Sequence, residues 1–497
     1  MDWKKYKRKF KEPKKKEEFN TEVINVTLKT ILKKVENRDD LVVKEISIED
    51  HCFTVMYISS IVDASSIQEK MIDPISDSET TTSVFKKLNK LEKINNQDQS
   101  LLLHELASGF AFLFNSLDEN IIYKLPAFNA PERSITAPEN ETTILGPQDA
   151  FVESIETNMS LIRRRIRSTE LKSKSFFLGT ETKNSVSIVY LGNLANKENV
   201  DRVIVRLENV EYDGFIGMPV LKQLLEDNPF SPFPQFGITV RTDWAVNELL
   251  NGKILVLLNG SPEVAILPTT FMEMFMSPED FYNRWTTATL LRTLRLFGFF
   301  VSILLTSTYV SVLTFHPAML PPQLLSILAD SRARVPFPPV LEVLIIELVI
   351  EILREAGSRM PTKIGQTIGI VGGIVIGTAA VEAGLASNIL IVLVATTALL
   401  SFISPNFLMS NAIRLIRYLF IIAAGVLGMF GQMVTLAWLI NHLSNLTSLG
   451  SPFISPVIPR KWSDLLNSVL RAPVKYMTKR PGISRAKKDL VKPLDEE

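Results

Sequence analysis

The run LFGFFVSILLTSTYVSVLTF, residues 296–315, carries no charged side chain. A helix of that length crosses a hydrocarbon core of roughly 30 Å, so the run reads as a membrane span. Three more apolar runs follow, at 364–381, 385–403 and 418–440. One such run would also suit a buried helix of a large soluble protein, but four in close succession do not. Residues 286–445 are therefore expected to form a helical membrane domain with about four spans.

VLEVLIIELVIEILREAG, residues 340–357, is equally apolar but sets Glu347, Glu351, Arg354 and Glu355 on one helical face. It predicts an amphipathic helix over 340–356 that lies at the interface or lines something wet, with a fifth span as the alternative. The prolines of RVPFPP, residues 334–339, stop any preceding helix. An even number of spans places both basic ends on one side, as the positive-inside tendency asks, but leaves Arg414 and Arg417 on the other.

GQTIGIVGGIVIGTAAVEAG, residues 365–384, repeats glycine at Gly365, Gly369, Gly373 and Gly377. Small residues four apart let a neighbouring helix approach closely in lipid, which predicts a packing face and self-association. Thr367, Val371, Ile374 and Thr378 share another face, hydroxyl at both ends and aliphatic between. In a ring of copies that face would form a narrow apolar gate. Plain lipid contact explains Val371 and Ile374 equally well. Glu382, one turn beyond Thr378, would give a carboxylate ring at the pore mouth, or else is a solvated residue on a turn. The other candidate acidic lining is Glu347, Glu351 and Glu355, although Arg354 would also pair with Glu351 or Glu355 across one turn.

The N-terminal half reads as α+β and contains a repeat. MYISSIVDASSIQEKM from Met56 aligns with VYLGNLANKENVDRVI from Val189, matching Tyr57 to Tyr190, Ile58 to Leu191, Ile61 to Leu194 and Ile67 to Val200. ELASGFAFLFNSLDENIIY from Glu105 then aligns with ELLNGKILVLLNGSPEVAIL from Glu248. Two matches in the same order point to duplicated modules, each a strand, a helix, a spacer and a hairpin. The expected domains are a basic disordered tail at 1–38, a first module at 39–128, a polar linker at 129–145, a second module at 146–285, the membrane domain, and a basic C-terminal tail at 446–497. The start MDWKKYKRKFKEPKKKEE lacks the apolar core of a secretory signal, so the soluble half is expected to stay on the side of synthesis. Its lysines suit either anionic membrane lipid or solvent.

The formal net charge of +1 averages basic ends with a nearly uncharged middle. One cysteine, Cys52, excludes an internal disulfide and a cysteine metal cage. The four histidines, His51, His104, His316 and His442, stand far apart, with no HExxH, GxSxG or P-loop spacing near them. RRRIR, residues 163–167, would grip phosphate or nucleic acid, or form a solvated or subunit-contacting face, and the amphipathic helix that carries it favours the face. No catalytic residue, metal site, cofactor or nucleic-acid partner is expected.

Six segments carry a family resemblance: GPQDAFVESIETNMSLIRRRI (146–166), SPFPQ (231–235), SPEDFYNRW (277–285), RVPFPPVLEVLIIELVIEILREAGSRMP (334–361), GQTIGIVGGIVIGTAAVEAGLAS (365–387) and GSPFISP (450–456). Together they resemble the A subunits of GerA-family spore germinant receptors. One element departs from the family's usual Glu-Arg-Pro-Asp: this chain has VRTDWAVNELLNG, keeping Arg241 and Asp243 around Thr242. The resemblance implies a multi-pass protein of the spore inner membrane with its N-terminal half on the core side. It implies a transporter-like B subunit and a lipoprotein C subunit as partners, and assembly into a nutrient-gated cation channel. An A-subunit paralogue of the dipicolinate-release apparatus and a non-conducting scaffold are the alternatives.

Overall fold

The computed structural model describes residues 31, 39–48, 51–78, 81–88, 91–95, 99–107, 109–115, 118–127, 137–138, 141–359, 373, 375–459 and 462–491. The basic tail expected at 1–38 lies outside them, apart from Ile31. The chain divides into two compact units, Met1–Ala130 with Arg167–Thr169, and Pro131–Ile166 with Glu170–Glu497.

The first unit is built on an antiparallel sheet of β1 (Leu41–Ile48), β2 (His51–Ile58), β3 (Glu92–Asn95), β4 (Phe110–Asn115) and β5 (Asp118–Pro126), in the order β1-β2-β4-β5-β3. Helical turns over 64–76 and two helices, α1 (Thr81–Leu88) and α2 (Gln99–Ala107), accompany it. Phe53, Val55, Ile67, Met71, Val84 and Leu113 share one buried core with Ile31. Cys52 is half-buried on β2.

The second unit opens with α3 (Ile155–Arg165), whose N-cap Ser154 accepts from the Thr157 amide. Its sheet contains β6 (Leu171–Leu178), β7 (Asn184–Leu191), β8 (Gly237–Thr239), β9 (Ile254–Leu258) and β10 (Val264–Leu267), ordered β6-β7-β9-β10-β8. The strand order of the first unit is thus used a second time. The aligned residues fall on equivalent elements: Tyr57 and Tyr190 on β2 and β7, and Glu105 and Glu248 on helices that lead into β4 and β9. The outer strands β1 and β6, and β3 and β8, are additional to the strand and hairpin that the repeat predicts.

Alternation along β9 explains the layers. Ile254, Val256 and Leu258 point to a core shared with α4 (Lys197–Glu208) and α5 (Met218–Leu225). Leu255 and Leu257 point the other way, to α3 and α6 (Thr242–Leu250). Every side chain of ILVLL is buried because helices cover both faces of the sheet.

Among the described residues, the longer helices that follow are α7 (Trp285–Phe315), α8 (Pro322–Arg332), α9 (Pro339–Ser358), α10 (Asn388–Ser401) and α11 (Phe407–Asn445). Among the described residues, α7 and α11 are long and apolar enough to cross a membrane. The span expected at 385–403 is realised as α10, which at about 21 Å is shorter than a hydrocarbon core. Most of the run 364–381 lies outside the described residues, and its described end, 375–382, is helical.

The run 418–440 is not one span. Gly428, with φ 63° and ψ −144°, interrupts α11, and the chain doubles back there. Met409 and Ile413 before it share a core cluster with Leu439 and Leu443 after it. In a straight helix, Met409 and Leu439 would be about 45 Å apart. The carbonyl oxygen of Ala423 occupies the place where a Cβ on Gly431 would sit.

The reversal returns the chain to the second module. A hairpin of β11 (Thr447–Ser448) and β12 (Ser451–Pro452) follows α11, with Leu449 in the module's core. Ser448 Oγ donates to the Gln235 carbonyl at 2.8 Å, and the Phe271 amide donates to the Phe453 carbonyl at 2.8 Å. The C-terminal segment, expected as a tail, also lies on this module: the Arg471 guanidinium donates to the Asn283 and Phe281 carbonyls, and the Lys487 amide to that of Leu194. Both ends of the helical region therefore meet one body, and whatever crosses a bilayer between them must do so an even number of times.

Candidate functional site

The helical region conceals its charge. Glu342, in the first turn of α9, is fully buried and has two partners: Arg332 Nε donates to it at 2.9 Å and the Ser387 amide at 2.7 Å. Ser387 is also the N-cap of α10, and its hydroxyl meets Tyr309 of α7 at 3.2 Å. One carboxylate thus ties α8, α9 and α10 together beside α7. One turn and a half further on, Glu347 lies 2.8 Å from Arg417 of α11, both side chains buried. Glu351 accepts from Arg414 at 2.9 Å and from Arg354. Glu355 is exposed and pairs with Arg359. Arg414 and Arg417 are inside the helical region and matched by acids of α9, which explains why they fit no loop-charge rule.

Hydroxyls and an amide extend this polar interior. Ser302, Thr306, Ser307 and Ser311 of α7 and Thr397 and Ser401 of α10 are buried. Gln432, just past the reversal, donates to Ser307 Oγ at 3.1 Å and to Thr308 Oγ1 at 2.9 Å. Ionisable groups inside a membrane domain face the bundle interior, pair with one another, and accompany ion pathways or charge movement in membrane proteins generally.

The glycine run is placed only in part. Thr367, Val371, Ile374, Gly365 and Gly369 lie outside the described residues. Gly373 and Gly377 have nothing within 4 Å of an added Cβ. Thr378 and Glu382 are exposed. Gly384, at φ 69° against the Arg334 carbonyl, ends this helix. Of the candidate residues the structure brings Glu347 and Glu351 together on one seam with α11, while Glu382 stands apart.

The sequence pattern hides Glu342, because it sits on the apolar side of α9, where a first-turn acid passes for a helix-dipole partner. Arg332, ten residues before it across a proline turn, was the available signal.

In the second module the departing Arg-Thr-Asp element acts as a clamp. Buried Arg241 donates to Asp243 Oδ2 at 2.8 Å, to Thr143 Oγ1 at 2.8 Å and to the Pro147 carbonyl at 2.6 Å, fixing the end of the linker. Thr242 Oγ1 donates to Asp149 at 2.7 Å, and Asp149 also pairs with Arg164 and Arg165. These two arginines of RRRIR are thus engaged within the module. A cavity of about 170 Å³ lies nearby, lined by Glu141, Trp244, Lys253 and Glu273 and bordered by Asn406, the N-cap of α11. Burial pushes Glu141 up to about 7, against the hydrogen bond from Thr239. Burial alone would lower Lys253, but Glu248 and Glu273 reverse this and hold its ammonium above the ordinary range.

The family model described as Bacillus/Clostridium GerA spore germination protein matches residues 29–483. The chain belongs to the GerA family. Among its relatives is spore germination protein GerQA of Bacillus cereus, 37% identical over 93% of this chain and 93% of that one. The uncharacterized membrane protein YfkQ of Bacillus subtilis (strain 168) is 34% identical over 87% of this GerA-family chain and 85% of its own. A crystal structure of the N-terminal domain of the A subunit of the Bacillus megaterium spore germinant receptor GerK3 aligns with 49% of this chain and 94% of that one, at 26% identity and a TM-score of 0.36.

Proposed function

We propose that this chain is the membrane A subunit of a spore germinant receptor and that copies of it assemble, with transporter-like B and lipoprotein C subunits, into a nutrient-gated cation channel of the spore inner membrane. The observation that carries the assembly is the described end of the glycine helix. Gly373 and Gly377 meet open space, and Val375, Ile376, Thr378 and Glu382 are not buried, next to helices whose Glu342, Glu347 and Glu351 are each paired with an arginine of the same chain. A helix left bare on one chain and lined with small residues is suited to contact with a second copy. In such a ring Thr367, Val371, Ile374 and Thr378 would face the axis and Glu382 its mouth. A carboxylate ring raises local cation concentration.

Planar-bilayer recording of the purified protein under a salt gradient tests this. Cation-selective conductance is expected, with Glu382→Lys shifting the reversal potential toward anions. Absence of conductance would leave the scaffold reading. Conductance with an unchanged reversal potential would remove Glu382 from the pathway and direct attention to the face carrying Glu347 and Glu351.

A further inference from the structure

We propose that the loop at residues 228–233 of the second module is a membrane-interface anchor, with Phe230 seated among the lipid headgroups and upper acyl chains. The loop reads NPFSPF, and its two phenylalanines have opposite fates. Phe233 is buried and packs edge-on to Phe271, whereas Phe230 is 96% exposed. The loop holds this display by hydrogen bonds. Asn228 Oδ1 accepts from the Phe230 amide at 3.2 Å, and Gln235, itself fully buried, accepts from the Asn228 amide at 2.9 Å and donates to its carbonyl at 2.6 Å. Pro229 and Pro232 restrict the backbone on either side. Phe230 is therefore presented outward by a fixed scaffold.

An isolated exposed phenylalanine needs no explanation, but the location of this one does. Ser231 Oγ lies 3.0 Å from Nε2 of His442, near the end of α11. Phe430, Val434, Trp438 and His442 follow at intervals of four and share a face of the returning arm. The first three are exposed, and Trp438 stacks on His442 at 5.4 Å and 12°. An outward apolar stripe that ends in a tryptophan and a histidine has the character of a lipid-facing surface reaching the interface, where ring-bearing side chains with a polar atom concentrate. Phe230 adjoins Ser231, which contacts His442, so the soluble module presents an exposed ring beside the end of that stripe. That adjacency selects lipid as its occupant, and it holds whether or not the assembly conducts.

The test uses the full chain in liposomes of phosphatidylethanolamine and phosphatidylglycerol, with Cys52→Ala and a single new cysteine carrying an NBD fluorophore. Phe230→Cys is compared with Phe177→Cys, which is 78% exposed at the other end of the sheet, opposite Ser185 and away from the β10 exit at Leu267. Pro229→Cys provides a second label site in the loop should the first alter folding, judged by gel filtration. Headgroup-proximal nitroxide lipid is expected to quench the loop label at least threefold more than the Phe177 label, and aqueous iodide to do the reverse. Equal lipid quenching at both sites would overturn the anchor. So would a loop label shielded from both quenchers, which would show that a protein surface covers it.

Discussion

Two glycine series in this chain look alike on paper and differ in what they touch. Gly373 and Gly377, the described members of the four-residue series, face open space within one chain. Gly425, Gly428 and Gly431 recur every third residue in α11, and each is filled against. Gly425 meets the Val340 side chain, Gly428 the Phe315 ring, and Gly431 the Ala423 carbonyl. Glycine spacing alone therefore does not say whether a helix is prepared for a neighbour or folded onto its own chain. The deciding feature is backbone: Gly428 adopts a conformation almost closed to other residues.

Breaking that residue gives the largest expected effect. Gly428→Leu forces both the backbone and a side chain into the Phe315 ring. About 1–3 kcal/mol of strain and about 1–3 kcal/mol of overpacking should remove folded protein from the membrane fraction, which immunoblotting of membranes would show. Next is Arg417→Met. It leaves Glu347 buried without its partner and should cost about 3–5 kcal/mol, while Arg417→Met with Glu347→Leu should recover most of this. Thermal unfolding in detergent distinguishes the two, and a double variant no more stable than the single would show that the pair is not what ties α9 to α11. Gly425→Ala should cost about 1–3 kcal/mol because Val340 has to shift. The smallest change in single-chain stability, within about 0.5 kcal/mol, is expected for Gly373→Leu. There the readout is assembly, and an oligomer mass unchanged by light scattering would contradict the contrast between the two series.

What the sequence disclosed follows from where its local signals agree. The amphipathic helix expected at 340–356 is found as Pro339–Ser358 because prolines mark its start and the apolar period continues beyond it. The short apolar runs ILVLL and VAIL on either side of the turn residues NGSPE located β9 and β10. The reversal in α11 was hidden because apolar residues flank Gly428 on both sides, so composition shows one uninterrupted run where the backbone turns through a single residue. The pairing of Arg414 and Arg417 with Glu351 and Glu347 was hidden for another reason. Partners more than sixty residues apart leave no periodic trace, and only the packing of α9 on α11 brings them together.

Asp280 has no exposed surface, and Arg292 Nε and Arg295 Nη1 reach it at 2.9 and 2.8 Å from the first turns of α7. That weld denies the helix a free joint where it leaves the module. At about 46 Å long, α7 behaves as a lever clamped at its base. Measured from Arg292, tilting the clamp by about 5° would sweep the far tip, at Phe315 and the Gly428 bend, sideways by about 3 Å, close to the width of one water molecule. A movement too small to disturb the module's own core would be felt at full amplitude at the opposite end of the helices.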